Sequence, residues 1–216
     1  MAITAKLVSE LRAKTGAGIM DCKKALVESD GDMTKAVEYL QKKSLAAVAK
    51  RAGKIAAEGA VYSYIHDGRV GAMVEVNSET DFVARGDDFQ AMIKNIAMHI
   101  AASNPIYLDS SEIPAEVTDK QKEIYAAQLL AEGKPEAMIE RIMIGKIKKW
   151  HRDVCLLNQD YVKDDKLSVQ EYVTEVASTI KENIKVRRFV RFELGEGIEK
   201  KEEDFAAEVA AAASGV

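Results

Sequence analysis

Bond-making side chains are scarce in this 216-residue chain, which has three histidines, two cysteines, three prolines and one tryptophan. Cys22 and Cys155 form no CxxC pair, no zinc quartet and no disulfide framework, so both read as small buried thiols in a reducing compartment. No apolar run approaches the ~18 residues of a membrane span. The start, MAITAKLVSELRAK, lacks a signal-peptide core, so a soluble cytoplasmic protein without membrane contact is expected. Nor is there excess positive charge. Against 31 Lys plus Arg stand 35 Asp plus Glu, a formal charge of −4, which argues against a nucleic-acid partner.

The same scarcity bears on catalysis. His66, His99 and His151 sit in no HExxH and have no second ligand at metal spacing, so no metal is expected. His99 reads as a helix residue at a packing edge. Gly16-Ala17-Gly18 lacks the Lys-Ser/Thr ending of a phosphate loop and reads as a turn between helices. Acidic neighbours make Gly195-Glu196-Gly197 a poor pyrophosphate cradle. Glu79 and Asp81 form a carboxylate pair in sequence, but with no proton partner in view. The chain therefore reads as a non-enzyme without a cofactor.

What the chain does have is helical patterning with one change of period. Thr4 caps an apolar pattern at Leu7, Val8 and Leu11. A second helix over Asp21–Glu28 buries Cys22, Ala25 and Leu26, and a third, after an Asp30-Gly31-Asp32 turn, carries Met33, Ala36, Val37 and Leu40. This predicts a three-helix bundle over 1–41. Residues 42–57 follow as a basic linker helix, with five cations and no acid over Lys42–Lys54. From Gly59 the period becomes two: strands through Val61–Ile65 and Val70–Val76 flank a His66-Asp67-Gly68-Arg69 turn. A loop, Asn77–Gly86, precedes an amphipathic helix near Asp87–Ala102 that ends at Asn104-Pro105.

Residues 115–152 predict an antiparallel helical hairpin about Gly133-Lys134-Pro135, inserted into an α+β core of 58–114 and 153–195. In the second part of the core, Val154–Leu157 reads as a short strand, Asp164-Asp165 as a turn, Val169–Ile180 as a helix and Ile184–Leu194 as a strand. That strand carries Val186, Phe189 or Val190, and Phe192. Residues 196–216 form a C-terminal module with a short helix near Glu203–Ala213. The fold class is α+β with about three strands and no regular βαβ alternation.

Two surface clusters invite a partner. Arg12, Ile19, Met20, Lys23 and Lys24 gather at the turn of the bundle, although Ile19 and Met20 also suit a hydrophobic staple. Phe82, beside Asp81 on the loop, has the form of an aromatic hot spot, although it would equally serve as a lid on the core.

Two longer motifs carry a resemblance. Thr15-Gly16-Ala17-Gly18-Ile19-Met20-Asp21-Cys22-Lys23-Lys24-Ala25-Leu26 and Val76-Asn77-Ser78-Glu79-Thr80-Asp81-Phe82-Val83-Ala84 resemble the two signatures of the bacterial translation elongation factor Ts family. Met98-His99-Ile100, Gly133-Lys134-Pro135, Arg187-Arg188-Phe189 and the Gly195–Lys200 stretch follow in the family's order. The resemblance implies a guanine nucleotide exchange factor for elongation factor Tu. Its ubiquitin-associated-like bundle would dock on the partner through Arg12, Ile19, Met20 and Lys23. Its Thr80, Asp81, Phe82 and Val83 would enter near the partner's magnesium site, Phe82 as a wedge and Asp81 displacing the elements that hold the metal, so that GDP leaves. The chain resembles the family's short form, which lacks one half-core and works as a homodimer. His66, ahead of Gly68-Arg69-Val70-Gly71, is similar to a partner-contacting histidine of the longer form. A dimerising scaffold and a small hydrolase using Asp81 or Glu79 are the competing readings.

Overall fold

The computed structural model describes residues 3–198, and the expected tail helix near Glu203–Ala213 lies outside them. Three helices open the chain: α1 (Ala5–Thr15), α2 (Ile19–Glu28) and α3 (Met33–Arg51). Thr4 accepts the Leu7 N–H, and Asp32 accepts those of Thr34 and Lys35, so both helix starts have side-chain caps. Gly16 ends α1 at φ 66°, and the turn before α3 puts Asp30 and Gly31 at φ 50° and 82°. Leu11, Cys22, Ala25, Leu26, Ala36 and Leu40 form one small buried cluster. α3 does not stop where the sequence divides bundle from linker. It runs unbroken to Arg51, because Gln41–Arg51 contains no Gly or Pro to interrupt it.

A three-stranded antiparallel sheet follows, in the order β1 (Glu58–His66), β2 (Val70–Ser78), β5 (Lys185–Glu193). Asp67 and Gly68, at φ 49° and 67°, make the two-residue hairpin turn whose twist suits paired strands. The inner face of β2 buries Ala72, Val74 and Val76 against α5 (Asp87–Ser103), through Phe89, Met92, Ile93, Ile96 and Ile100. α8 (Val169–Ile180) packs on α5 and adds Val169, Val173 and Ala177 to the same core. Asn104 ends α5 in the left-handed region at φ 46°. A capping box of Ser168 and Glu171 starts α8. α3 packs along α8, where the Ser44 and Ser178 hydroxyls meet.

The sequence reading differs from the structure at four further places. The Asn77–Gly86 loop contains a one-turn helix, α4 (Asp81–Ala84), with Thr80 as its cap. Val154–Leu157 is not a strand. Cys155 makes a single bridge to Tyr107, and Leu156–Asn158 form a 3-10 turn, because the preceding helix, α7 (Glu136–Val154), continues to Val154 and leaves no room for a ladder. Asp164-Asp165 is not a turn but the start of β4 (Asp164–Ser168), which pairs with β3 (Asp160–Tyr161); the chain reverses at Val162-Lys163. His99 is fully buried rather than at an edge.

Between the two parts of the core lie α6 (Ala115–Ala131) and α7 (Glu136–Val154). They pack together, with the Lys146 ammonium 5.3 Å from the Tyr125 ring centre, and Leu129 is their one fully buried side chain. No described helix is long and apolar enough to cross a membrane.

Candidate functional site

The Thr80–Val83 segment is held from both sides and presents one large side chain to water. Its scaffold begins in β2, where buried Ser78 donates its hydroxyl to the Thr80 carbonyl at 2.9 Å. Thr80 Oγ1 accepts the Val83 N–H at 3.4 Å and caps the turn. Ala84 is buried beneath it, and Gln90 of α5 donates to the Ala84 carbonyl at 2.6 Å. With cap and base fixed, the turn points Phe82 outward, 83% exposed. Asp81 lies beside it on the surface, 3.0 Å from the Arg85 guanidinium.

The residues just before the turn are tied to a distant segment. Glu182, between α8 and β5, accepts the N–H groups of Glu79 and Thr80, each at 3.1 Å, and the Thr80 hydroxyl at 2.7 Å. Glu79 in turn accepts the Asn183 N–H at 2.8 Å and pairs with Lys54 at 2.7 Å. Asn183 closes the ring by donating to the Lys54 carbonyl at 2.7 Å. The Lys54 ammonium and the Asn183 N–H hold the Glu79 carboxyl below the usual carboxylate range. Glu79 and Asp81 therefore each have their own cationic partner and share no proton, so they do not form an acid–base pair.

The second cluster lies on the bundle. Arg12, Ile19 and Lys23 line a groove of about 440 Å³ between α1 and α2, with Ile3, Val8 and Ser9. Ile19 is 55% exposed and Met20, just outside the groove, 75%. A hydrophobic staple would have buried them. His66 stands apart from the Thr80–Val83 turn. It ends β1, where it pairs with Val70, whereas the strand end nearer Thr80 pairs Glu58 with Ser78. Those two ends are separated by roughly 26 Å, at about 3.3 Å per residue. Tyr64 contacts the His66 Nδ1 at 3.0 Å through its hydroxyl.

The structure thus brings Arg12, Ile19 and Lys23 together, presents Thr80–Val83 separately, and puts His66 at the opposite end of the hairpin. Sequence reasoning missed Glu182 and Asn183, and took Lys54 only as part of the basic linker, not as the partner of Glu79. Their only signal was polar residues where a helix hands over to a strand. Among the described residues no three His, Cys, Asp or Glu side chains converge to hold a metal ion.

A family model described as "Elongation factor TS" matches residues 3–196. Among curated relatives, elongation factor Ts of Geobacter sulfurreducens is 59% identical over 214 residues, covering 99% of each chain. That of Geobacter metallireducens is 58% identical over the same length and coverage. That of Acetivibrio thermocellus is 56% identical over 208 residues, covering 96% of this chain and 97% of the relative. A match of this length, spanning both surface clusters and the core between them, makes the chain a member of the elongation factor Ts family.

Proposed function

We propose that this chain is a guanine nucleotide exchange factor for elongation factor Tu. The observation that carries the reading is Phe82, an aromatic ring held in water on a turn fixed at both ends. Fully burying a Phe side chain is worth about 1.5–3 kcal/mol. A fold that fixes the backbone beneath such a ring and leaves it exposed suits a ring that a partner covers. The wedge enters beside the partner's magnesium site, and Asp81 disturbs the elements that hold the metal. Magnesium bridges phosphates to protein, so losing its ligands weakens GDP binding. By linkage, bound GDP weakens binding of the factor by the same ratio. No bond is made or broken, so the chain needs no general base.

The bundle, in this reading a ubiquitin-associated-like module, docks through Arg12, Ile19, Met20 and Lys23. Docking makes insertion of the wedge effectively intramolecular. His66 gives a further contact at the other end of the hairpin. The outer face of the sheet supports a homodimer: Val61, Ile65, Met73, Val190 and Phe192 are all exposed there, and a second copy of this short-form chain covers them.

The test is release of fluorescent GDP from purified elongation factor Tu in excess unlabelled GDP. Substoichiometric chain should accelerate it. Phe82→Ala should lower the maximal rate more than it lowers partner binding, by a hot-spot value of about 2 kcal/mol or more, and Arg12→Ala should do the reverse. Equal losses in both assays for both variants would defeat this division of roles, and no acceleration by the folded native chain would reject exchange altogether.

A further inference from the structure

We infer that Glu182 is the positioning residue for the Asp81-Phe82 turn, and that the Lys54–Glu79–Asn183 ring ties this clamp to the linker leaving the bundle. The inference rests on the exchange reading above and concerns how the wedge is held. Glu182 is about a hundred residues from the turn in sequence, yet its one carboxylate accepts three hydrogen bonds from it. Two of the donors are consecutive backbone N–H groups. They fix the direction in which the chain leaves β2. The third is the hydroxyl of Thr80. That hydroxyl has one hydrogen and gives it to Glu182, so its lone pairs are directed at the Val83 N–H that it caps. Glu182 therefore sets both the entry angle of the turn and the rotamer of its cap.

The strand–helix core alone would not place the carboxylate there. Lys181 ends α8 in the left-handed region, at φ 65°, without being glycine. That conformation turns the chain sharply, so that Glu182 and Asn183 both face residues 79–80. Asn183 then binds the turn and the linker at once, its backbone N–H to Glu79 and its side chain to the Lys54 carbonyl. Lys54 lies just past the end of α3, after Ala52 and Gly53, so the bundle's longest helix is connected to the wedge by a closed ring of hydrogen bonds. Charge-assisted bonds of this type are roughly twice as strong as neutral ones. A wedge needs such support, because a misplacement of about 1 Å can cost on the order of a hundredfold in rate.

The experiment measures GDP release from elongation factor Tu against concentration of the full chain, separating the maximal rate from the half-saturating concentration. Glu182→Ala should lower the maximal rate about tenfold or more, with the half-saturating concentration changed less than about twofold. Glu182→Gln keeps an oxygen acceptor and should fall between it and the native chain. Lys54→Ala, which leaves both hydrophobic clusters untouched, should give a smaller split in the same direction. Independently of activity, NMR hydrogen exchange of the Glu79 and Thr80 amides should quicken about tenfold in Glu182→Ala while core amides keep their protection. An unchanged maximal rate, or equal losses in rate and affinity with core amides also deprotected, overturns the positioning role. Failure of the native chain to release GDP would instead remove the exchange reading, and the amide measurement would still decide whether Glu182 fixes the turn.

Discussion

At the scale of single residues, burial and exposure fall in unexpected places. His99 is sealed in the core with both ring nitrogens engaged. Its Nδ1 accepts the Val162 N–H at 3.2 Å, so its Nε2 carries the hydrogen and donates to Gln159 Oε1 at 2.9 Å. Gln159 passes its own hydrogens to the carbonyls of Ser103 and Asp153, and Tyr161 lies alongside the imidazole. Burial pushes the imidazole down from its ordinary 6.5, against the weaker pull of Gln159. The unfolded chain therefore takes up a proton first as pH falls. The neutral ring's contribution is complete above about 6.5 and is lost as pH drops below it, by at most about 1.4 kcal/mol per pH unit. Urea unfolding should give a lower midpoint at pH 5.5 than at pH 7.5. His99→Leu should be less stable at pH 7.5 and should show a flatter dependence between those two values. A native chain with the same midpoint at both would exclude the effect.

At the scale of elements, the hairpin carries a sharp steric constraint. Gly59 sits at φ 137°, and a Cβ there would lie 2.2 Å from the Val76 carbonyl oxygen and 2.7 Å from the Asn77 Cα. Gly59→Ala should destabilise by about 2 kcal/mol or more, through strain and loss of the first β1–β2 pairs. Gly71→Ala, where nothing lies within 4 Å, should change stability by less than about 1 kcal/mol in the same denaturation experiment.

The sequence reading succeeded for elements whose pattern is local. Thr4, Asn104 and the Asp67-Gly68 turn are chemical punctuation, and the structure uses each as read. It left β5 ambiguous between Phe189 and Val190, because a bulge is a property of two strands. The register slips between Glu75 and Val76, so Val186 and Phe189 share the inner face and Val190 points out. The same slip lets Arg187 and Arg188 both reach Glu75, at 2.7 and 2.6 Å. β3 is two residues long, too short for any alternation to register. As for the candidate site, Phe82 and the bundle residues were legible as motifs. The Glu182 clamp was not, because a contact spanning about a hundred residues has no local signature.

At the scale of the whole molecule, the described residues form two separate cores and leave one apolar sheet face exposed among them. Phe192, 72% exposed, lies on that face next to Met73 and Val190. If a second copy covers it, sedimentation of the native chain should give twice the chain mass at micromolar concentration, and Phe192→Glu should return it to one. A native chain that sediments as a monomer throughout that range would reject the homodimer.

The unbroken course of α3 has a geometric consequence. Its 19 residues span about 28 Å at 1.5 Å per residue, from the bundle core to the last turn before Lys54. A continuous helix fixes rotational phase as well as length. One residue inserted at Gln41 swings everything on its far side by about 100° and advances it by only 1.5 Å. Seven residues, close to two full turns, nearly restore the azimuth but move the bundle about 10 Å away. The two surface clusters are thus set at a fixed dihedral offset by helical pitch, and insertions into α3 should reveal which matters more to the molecule, the bearing of the bundle or its reach.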